Sequence, residues 1–436
     1  MMKKNRTIYF LLALVCLGLQ SCLFQEEDYF DDSSANRATA DVKRCSELLE
    51  AAPNGWVMEY YVGKDYSLGG ITLLCKFDGQ RVTMASQIAG ADETVSSLYS
   101  VKSEQATMLS FDTYNYLVHY FGQPQGSMAD DPNGTLGGDY EFVISDATAD
   151  RIELKGKKYG NRIVMKAFSA DQTWKQYLTR IKKVEDDAFF YEYDLRMDGL
   201  YTGQMLRSNY TFIVTYYDEV GKVHQKTVPF MFTTDGMRFH EPVTIDGQTM
   251  QNFVWKNEEI SFVCTDEGAT GVKMKGIYID GYQSYDYYPG TYLMDFYRLN
   301  GATNQLEVAS QEIQLVKNED GKSYWLKGLE YDILVTYDKP RGGLSILPQF
   351  LKKVQGGYVY LAMWDLMNDY VLRSSAIGLI SYPTTDGIYL VDNGVWMGEI
   401  SGFIFGVYDS QDEEASFMGY TDAVAAIRLI KKTIEE

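Results

Sequence analysis

The sequence is poor in the side chains that most often bind metals. Its 436 residues include only three histidines, His119, His224 and His240. None lies four residues from another, which is the spacing with which a helix presents two histidines to zinc. We therefore predict structural or exposed histidines, and no metal or cofactor. The chain also lacks a Gly-x-Ser-x-Gly motif, the nucleophile turn of many serine hydrolases.

Cysteine is scarce as well, with five in the whole chain. Cys45, Cys75 and Cys264 lie far apart in sequence, so their spacing indicates neither a disulfide framework nor a metal cluster. We expect buried free thiols, with one disulfide as the alternative.

Basic residues are outnumbered, with 40 Lys and Arg against 60 Asp and Glu and a formal net charge of −20. Such a charge repels phosphate backbones, and we exclude nucleic acid as a partner. Carboxylates leave one enzymatic alternative open, because a glycoside hydrolase needs only two of them about 5 to 9.5 Å apart. Most carboxylates of an acidic surface are solvated, so we favour a non-enzymatic protein.

One acidic loop, from Gln123 to Asp139, offers oxygen ligands of the kind that calcium prefers. Its relevant residues are Asp130, Asp131, Asn133 and Asp139. The loop lacks the Asp-x-Asp-x-Asp-Gly frame of a calcium-binding loop. We therefore expect a polar loop and keep a calcium site as the alternative.

The apolar run at the start of the chain, Ile8 to Leu19, is too short to cross a membrane, which takes roughly 20 residues. Three basic residues precede this run and a small residue, Ser21, follows it, which is the order of a cleaved secretory signal. We predict that residues 1–21 are a signal peptide.

The residues that follow resemble a lipoprotein export signal. Leu19-Gln20-Ser21-Cys22 is similar to a bacterial lipobox, whose cysteine becomes the acylated first residue. Several acyl chains, each burying CH₂ groups at roughly 0.8 kcal/mol, attach a protein stably. We predict lipidation of Cys22, with an ordinary cleaved signal as the alternative. The segment QEED in the acidic tether (22–35) resembles the surface-export signal of Bacteroidetes lipoproteins, which predicts exposure at the cell surface rather than a periplasm-facing anchor.

Alternating apolar residues predict a mainly β fold. Arg151–Lys155 has period two, whereas Thr211–Tyr217 and Tyr358–Trp364 alternate less strictly and are more apolar. Asp-Gly and Asn-Gly pairs punctuate the chain, and such pairs favour hairpin turns. We expect turns at the seven pairs that begin at Asp78, Asp235, Asp246, Asp280, Asp320, Asp386 and Asn393. No long helical patterns alternate with these runs. We predict antiparallel meander sheets or barrels, loosely calycin-like, in two or three domains with a few short helices.

Two helices are predicted around the first group of strands. The first covers Asn36 to Ala51, and Pro53-Asn54-Gly55 ends it. The second runs from about Asp171 to Glu185, with Ser169 and Gln172 as a capping box. About eight short strands are expected between them. All six tryptophans fall in predicted strands or in the second helix, and we expect them to pack in the core.

The length of the chain exceeds that of one ordinary domain. We predict a β-meander domain with flanking helices at residues 36–195, a second antiparallel sheet at 196–268 and a C-terminal β-meander domain at 269–436.

A family resemblance is carried by ADVKRCSELLEAAPNGWVMEYY, GGITLLCKFDGQRVTMASQ and the runs that follow, from Ala40 to Met165. These segments resemble the Bacteroidetes lipoprotein family catalogued as domain of unknown function four-three-zero-two. The resemblance implies an outer-membrane or surface lipoprotein, often encoded beside SusC/SusD-type uptake pairs. It implies no catalytic residue.

The segment DGYQSYDYYPG concentrates tyrosines around one carboxylate. Tyrosine combines a flat apolar ring with a hydroxyl, which suits contacts with sugars and peptides. We predict a ligand-binding surface at Tyr282, Tyr285, Asp286 and Tyr287; the alternative is that these residues cap a barrel end.

These features together predict a lipid-anchored outer-membrane protein that helps capture a glycan or peptide beside a SusC/SusD-type transporter. Two alternatives stay open: a glycoside hydrolase with paired carboxylates, and a scaffold that binds only partner lipoproteins.

Overall fold

The computed structural model describes residues 34–124, 135–218, 220–412 and 414–432. The predicted signal peptide, Cys22 and all but the last two residues of the predicted tether lie outside these ranges. Three members of the acidic loop, Asp130, Asp131 and Asn133, also lie outside them.

Eight consecutive antiparallel strands form a first closed barrel. They are β1 (Trp56–Val62), β2 (Gly69–Asp78), β3 (Arg81–Ser86), β4 (Val95–Ser103), β5 (Thr107–Phe111), β6 (Glu141–Ala147), β7 (Arg151–Gly156) and β8 (Arg162–Ala167). The barrel closes where β1 pairs with β8, which places Met58 opposite Met165. Alternate residues of β1, including Trp56 and Tyr60, are fully buried. An eight-stranded barrel has an interior just wide enough for such side chains to fill.

Three helices accompany this barrel: α1 (Ser34–Ala51), α2 (Tyr116–His119) and α3 (Trp174–Asp187). Cys45 and Leu49 on one face of α1 are buried in the same apolar cluster as the barrel interior. The indole nitrogen of Trp56 donates to the carbonyl of Leu49 at 2.8 Å, which ties α1 to the first strand. The predicted positions of α1 and α3 are confirmed, whereas the single turn of α2 was not predicted.

The capping box of α3 differs from the predicted pair, Ser169 and Gln172. The amide nitrogen of Gln176 donates to the Thr173 hydroxyl at 3.2 Å, and the amide nitrogen of Thr173 donates to Oε1 of Gln176 at 2.9 Å. The sequence contains the same pattern twice in succession, so local preference alone does not choose between the two. Trp174 is the first residue of α3. Its indole nitrogen donates to the carbonyl of Asn54 at 3.0 Å, which is a tertiary contact at the start of the helix.

Replacing Thr173 with alanine should therefore lower the free energy of unfolding by about 1 kcal/mol, because the first turn loses its side-chain acceptor. Ser169→Ala is the matched control and should change stability by less than about 0.5 kcal/mol. Urea denaturation of both variants is the measurement. A larger loss for Ser169→Ala than for Thr173→Ala would show that the wrong pair has been assigned.

A second closed barrel follows, again with eight strands that are consecutive in the chain. They are β9 (Glu192–Met197), β10 (Leu200–Ser208), β11 (Thr211–Tyr217), β12 (Val223–Phe232), β13 (Gly236–Ile245), β14 (Gln248–Lys256), β15 (Ser261–Cys264) and β16 (Val272–Ile277). Phenylalanine rings fill its interior. Phe212 and Phe230 stack with their ring centroids 4.5 Å apart, and Phe239 packs on Phe253 at 4.9 Å.

The remaining twelve strands form one larger sheet. They are β17 (Gly290–Asn300), β18 (Gln305–Lys317), β19 (Ser323–Lys327), β20 (Ile333–Asp338), β21 (Gly343–Ile346), β22 (Gln349–Val354), β23 (Gly357–Asp365), β24 (Tyr370–Leu372), β25 (Leu379–Thr384), β26 (Gly387–Asp392), β27 (Gly402–Tyr408) and β28 (Phe417–Lys431). Pairing of β17 with β28 closes a ring of β17 to β21, β25, β26 and β28. The 15-residue β28 also pairs with β27, from which β23 and β22 extend the sheet. The predicted mainly β class with antiparallel barrels is confirmed.

The turn pairs behave as predicted in most places. Of the seven pairs named above, five lie between strands that pair directly, as Asp246-Gly247 does between β13 and β14. Asp280-Gly281 and Asn393-Gly394 instead lie in longer connections. The three predicted buried thiols are confirmed as free and buried. Within the described ranges, none of the helices combines the length and apolarity that a membrane span requires.

Two compact units divide the chain. The first comprises the described residues of Met1–Glu185, Ser208–Lys256 and Phe262–Val272; the second comprises those of Asp186–Arg207, Asn257–Ser261 and Lys273–Glu436.

Candidate functional site

The predicted tyrosine site lies in the connection between β16 and β17, in the second unit. The Tyr285 ring stacks on Tyr324 with centroids 4.7 Å apart, and its hydroxyl donates to the carbonyl of Ser323 at 2.8 Å. The hydroxyl of Tyr282 accepts from that of Tyr337 at 3.1 Å. Burial raises the pKa of Tyr282 and of Tyr337, so both hydroxyls are protonated at neutral pH. The hydroxyl groups of Tyr282 and Tyr285, the two predicted residues among these, thus have hydrogen-bond partners within the fold.

Asp286 and Tyr287 are the more exposed members of the predicted site. The Asp286 side chain is 79% exposed and pairs with Lys317. The ring of Tyr287 lies 4.9 Å from the ammonium group of Lys431. The four predicted residues thus contact different neighbours along the segment.

A groove of about 550 Å³ lies beside the start of this segment, also in the second unit. Its walls come from four separate stretches of chain. We call it the tyrosine groove, after the two tyrosines on its rim, and define it by Tyr191, Asp280, Asp338, Arg341 and Tyr382.

Gly342 connects the groove to the tyrosine segment. Its backbone is in the left-handed region, with φ +60°, and an added Cβ would lie 2.5 Å from Cδ2 of Tyr282. Its carbonyl accepts from the hydroxyl of Tyr288 at 2.8 Å and from the amide nitrogen of Gln283 at 3.3 Å. The turn before β21 is therefore packed against the predicted tyrosines, and they position the wall of the groove.

The chemistry of the tyrosine groove combines exposed rings with polar groups. Tyr191 is 53% exposed and Tyr382 is 61% exposed. Nε of Arg341 lies 3.6 Å from Oδ2 of Asp338, and Asp280 contributes a second carboxylate to the lining. Aromatic faces can stack on the apolar faces of sugars, while carboxylates and guanidinium groups bond hydroxyls. The groove can therefore hold a polar, uncharged molecule by its flat faces and its hydroxyls.

Sequence reasoning missed Tyr191 and Tyr382. Tyr191 follows α3 and Tyr382 belongs to β25, so nothing in their local sequence connects them. Asp280 begins the segment DGYQSYDYYPG but was not predicted to bind a ligand, because the predicted site residues all lie further along that segment.

The histidines have partners that fit a structural role. His119 stacks on Tyr140 with centroids 4.7 Å apart, and Nε2 of His224 lies 2.9 Å from Oδ2 of Asp218. Among the residues that the structure describes, no three His, Cys, Asp or Glu side chains are grouped so as to hold a metal ion. Asp139 of the acidic loop accepts from the amide nitrogens of Lys158 and Tyr159 at 2.7 and 3.1 Å, which holds a turn.

Two known families match this chain, one over its N-terminal part and one over its C-terminal part. Residues 26–257, more than half of the chain, match the family described as a domain of unknown function, DUF4302. The chain belongs to this family. Residues 265–404 match a second family described as a domain of unknown function, DUF4987. The tyrosine groove takes Tyr191 from the DUF4302 part and its other defining residues from the DUF4987 part.

Other comparisons add little. No curated protein matches the chain in sequence. Among solved structures, a protein with unknown function from the DUF3598 family of Nostoc punctiforme PCC 73102 matches 57% of this chain and 99% of that chain, at 7% identity and a TM-score of 0.15. A score this low supports no inference about fold or function. The predicted family resemblance is confirmed, while a Bacteroidetes origin stays a prediction.

Proposed function

We propose that this chain is a lipid-anchored protein of the outer membrane, exposed at the cell surface, that captures a nutrient without changing it chemically. The lipobox-like segment ending at Cys22 and the acidic residues after it support the anchor and the location. A SusC/SusD-type transporter is the proposed partner that takes up the captured molecule.

The proposed ligand is a neutral oligosaccharide bound in the tyrosine groove, with a peptide as the alternative ligand. The observation that carries this proposal is the pair of exposed rings, Tyr191 and Tyr382, on the rim of a groove that also holds two carboxylates and a guanidinium group. A volume of about 550 Å³ lies within the range of small-molecule sites, roughly 300 to 1,000 Å³.

Calorimetry on the full chain, purified in detergent, tests the ligand against a panel of neutral oligosaccharides and short peptides. Tyr382→Ala should weaken binding about tenfold, because a lost stacking contact costs on the order of 1.4 kcal/mol. Its side chain is 61% exposed, so this change should leave the fold intact. Tyr287→Ala, at a predicted residue outside the groove, is the matched control and should bind normally.

Three outcomes would contradict this proposal. If Tyr287→Ala abolishes binding and Tyr382→Ala does not, the ligand binds to the tyrosine segment and not to the groove. If no oligosaccharide or peptide of the panel binds, the proposed capture of a nutrient is contradicted. Release of shortened sugars would favour the glycoside hydrolase alternative, for which Asp280 and Asp338 are the first carboxylates to replace.

The location has its own test. Protease treatment of intact cells should remove the wild-type protein from the surface, and fatty-acid labelling should be lost in Cys22→Ala. Protection of the wild-type protein from the protease would contradict external capture.

A further inference from the structure

A second cavity, of about 240 Å³, lies within the first unit, against the outer faces of β1 and β8 and beside β13. Four basic side chains line it: Arg151, Arg162, Lys166 and Arg238. We call it the cationic cavity. It shares no residue with the tyrosine groove.

Acidic residues neutralise part of this charge. Glu59 accepts from Lys166 at 2.7 Å and also pairs with Arg238. Arg151 and Arg162 share Glu153, at 3.0 and 2.8 Å. Burial raises the pKa of Glu59, but the charge of Arg238 and the hydrogen bond from Lys166 outweigh it, and the net pKa is lowered.

The cavity nevertheless keeps a positive excess. The lining itself includes two acids, Glu59 and Glu241, and Glu153 pairs with two of the lining arginines from outside the lining, so four basic groups face three acidic ones. This local excess stands out in a chain whose formal net charge is −20.

Two buried donors in the cavity lack a hydrogen-bond partner among the described residues. They are the hydroxyl of Tyr61, whose side chain is only 3% exposed, and Nε of Arg238. Burial raises the pKa of Tyr61, although the charge of Arg238 and the approach of its guanidinium group to the Tyr61 oxygen act in the opposite direction. The hydroxyl is therefore protonated at neutral pH, and its own proton is available to donate. A buried donor without an acceptor is costly, which makes an acceptor at this point favourable.

Aromatic contacts hold the Tyr61 hydroxyl in place. The His240 ring packs against both Tyr61 and Tyr66, with centroid distances of 4.2 and 4.1 Å. Burial lowers the pKa of His240, so this ring is neutral at pH 7 and adds no charge to the cavity. The lining therefore combines neutral aromatic rings with basic side chains.

We propose that the cationic cavity binds a small oxyanion, namely a carboxylate, sulfate or phosphate group, whose oxygens accept from the Tyr61 hydroxyl and from Nε of Arg238. The charged oxygens of an oxyanion accept hydrogen bonds, which matches the two donors without partners. The planar guanidinium group of arginine suits the geometry of such groups. This site is independent of the proposed capture of a neutral sugar in the second unit.

Calorimetry on the full chain with sodium sulfate, sodium phosphate and sodium acetate tests the site, with sodium chloride at matched ionic strength as the control. None of these probes is a sugar, so the tyrosine groove does not contribute to the signal. At least one oxyanion should bind and chloride should not. Binding of sulfate or phosphate alone would identify a free inorganic ion, and binding of acetate would identify a carboxylate. Absence of binding by all three oxyanions, or equal binding of chloride, would overturn the proposal.

Tyr61→Phe separates ligand binding from a structural role. This variant keeps the ring contacts and removes only the hydroxyl, so anion binding should weaken about tenfold while the unfolding temperature stays the same or rises. Arg238→Lys keeps the charge but lacks the Nε donor, and should also weaken binding. Tyr297→Phe, an exposed tyrosine in the second unit, is the matched control. Unchanged anion binding by Tyr61→Phe would refute the proposed contact.

Discussion

Replacing Trp56 with alanine is expected to lower the free energy of unfolding by about 3 to 5 kcal/mol. Its indole is fully buried in the first barrel and donates to the carbonyl of Leu49 at 2.8 Å. The substitution therefore leaves a cavity and also removes the bond that ties α1 to β1. Urea denaturation measures the loss, and hydrogen exchange of peptides from the first barrel locates it, because separate barrels need not unfold together.

Trp325→Ala is the matched control for Trp56→Ala. Trp325 lies on β19 and is 36% exposed, so its removal should cost about 1 kcal/mol or less. An equal loss in the two variants would mean that the burial of Trp56 does not stabilise the first barrel.

Gly69→Ala is expected to lower the free energy of unfolding by about 3 kcal/mol, through two separate costs. The backbone of Gly69 has φ +73°, a conformation that costs a residue with a Cβ about 1 to 2 kcal/mol. The added Cβ would also lie 1.9 Å from the carbonyl oxygen of Tyr210, and backbone atoms cannot move aside cheaply. Within the first unit, β2 would then have to separate from the segment before β11.

Gly79→Ala isolates the first of these costs. Gly79 has φ +58°, and no atom lies within 4 Å of an added Cβ. Its replacement should cost only about 1 kcal/mol. Thermal unfolding of both variants measures the difference. If the two substitutions cost the same, the close approach of Gly69 to Tyr210 does not contribute to stability.

The strands could be predicted because their signals are local. In Arg151–Lys155 the alternating apolar residues, Ile152 and Leu154, are fully buried, and Thr211–Tyr217 matches β11 at both ends. Alternation along a strand shows which side faces the core, whichever strands it later pairs with.

Predictions of which tryptophans lie in the core were less successful, because burial depends on contacts between distant parts of the chain. Trp325 was expected in the core and is partly exposed, and Trp396 lies in a loop rather than in a strand. A large aromatic side chain indicates burial only on average. Trp325 lies on the outward face of β19, between the buried residues Tyr324 and Leu326.

The candidate sites were the least predictable part of the molecule. The tyrosine segment was noticed because its residues are adjacent in sequence. Tyr191 and Tyr382 are separated by most of the second half of the chain, and the cationic cavity joins Tyr61 to Arg238 across strands of two barrels in the first unit. No pattern along the sequence links such residues.

By itself, then, the sequence determined the family, the antiparallel β class, the burial of the three thiols and most of the hairpin turns. Each of these depends on interactions within a few residues or on the alternation of side chains along a strand. Only the tertiary structure decided that β17 pairs with β28 to close a third ring, which capping box is used, and where Tyr382 and Tyr61 lie in relation to charged groups. These features depend on contacts between residues that the chain brings together only after the strands have paired.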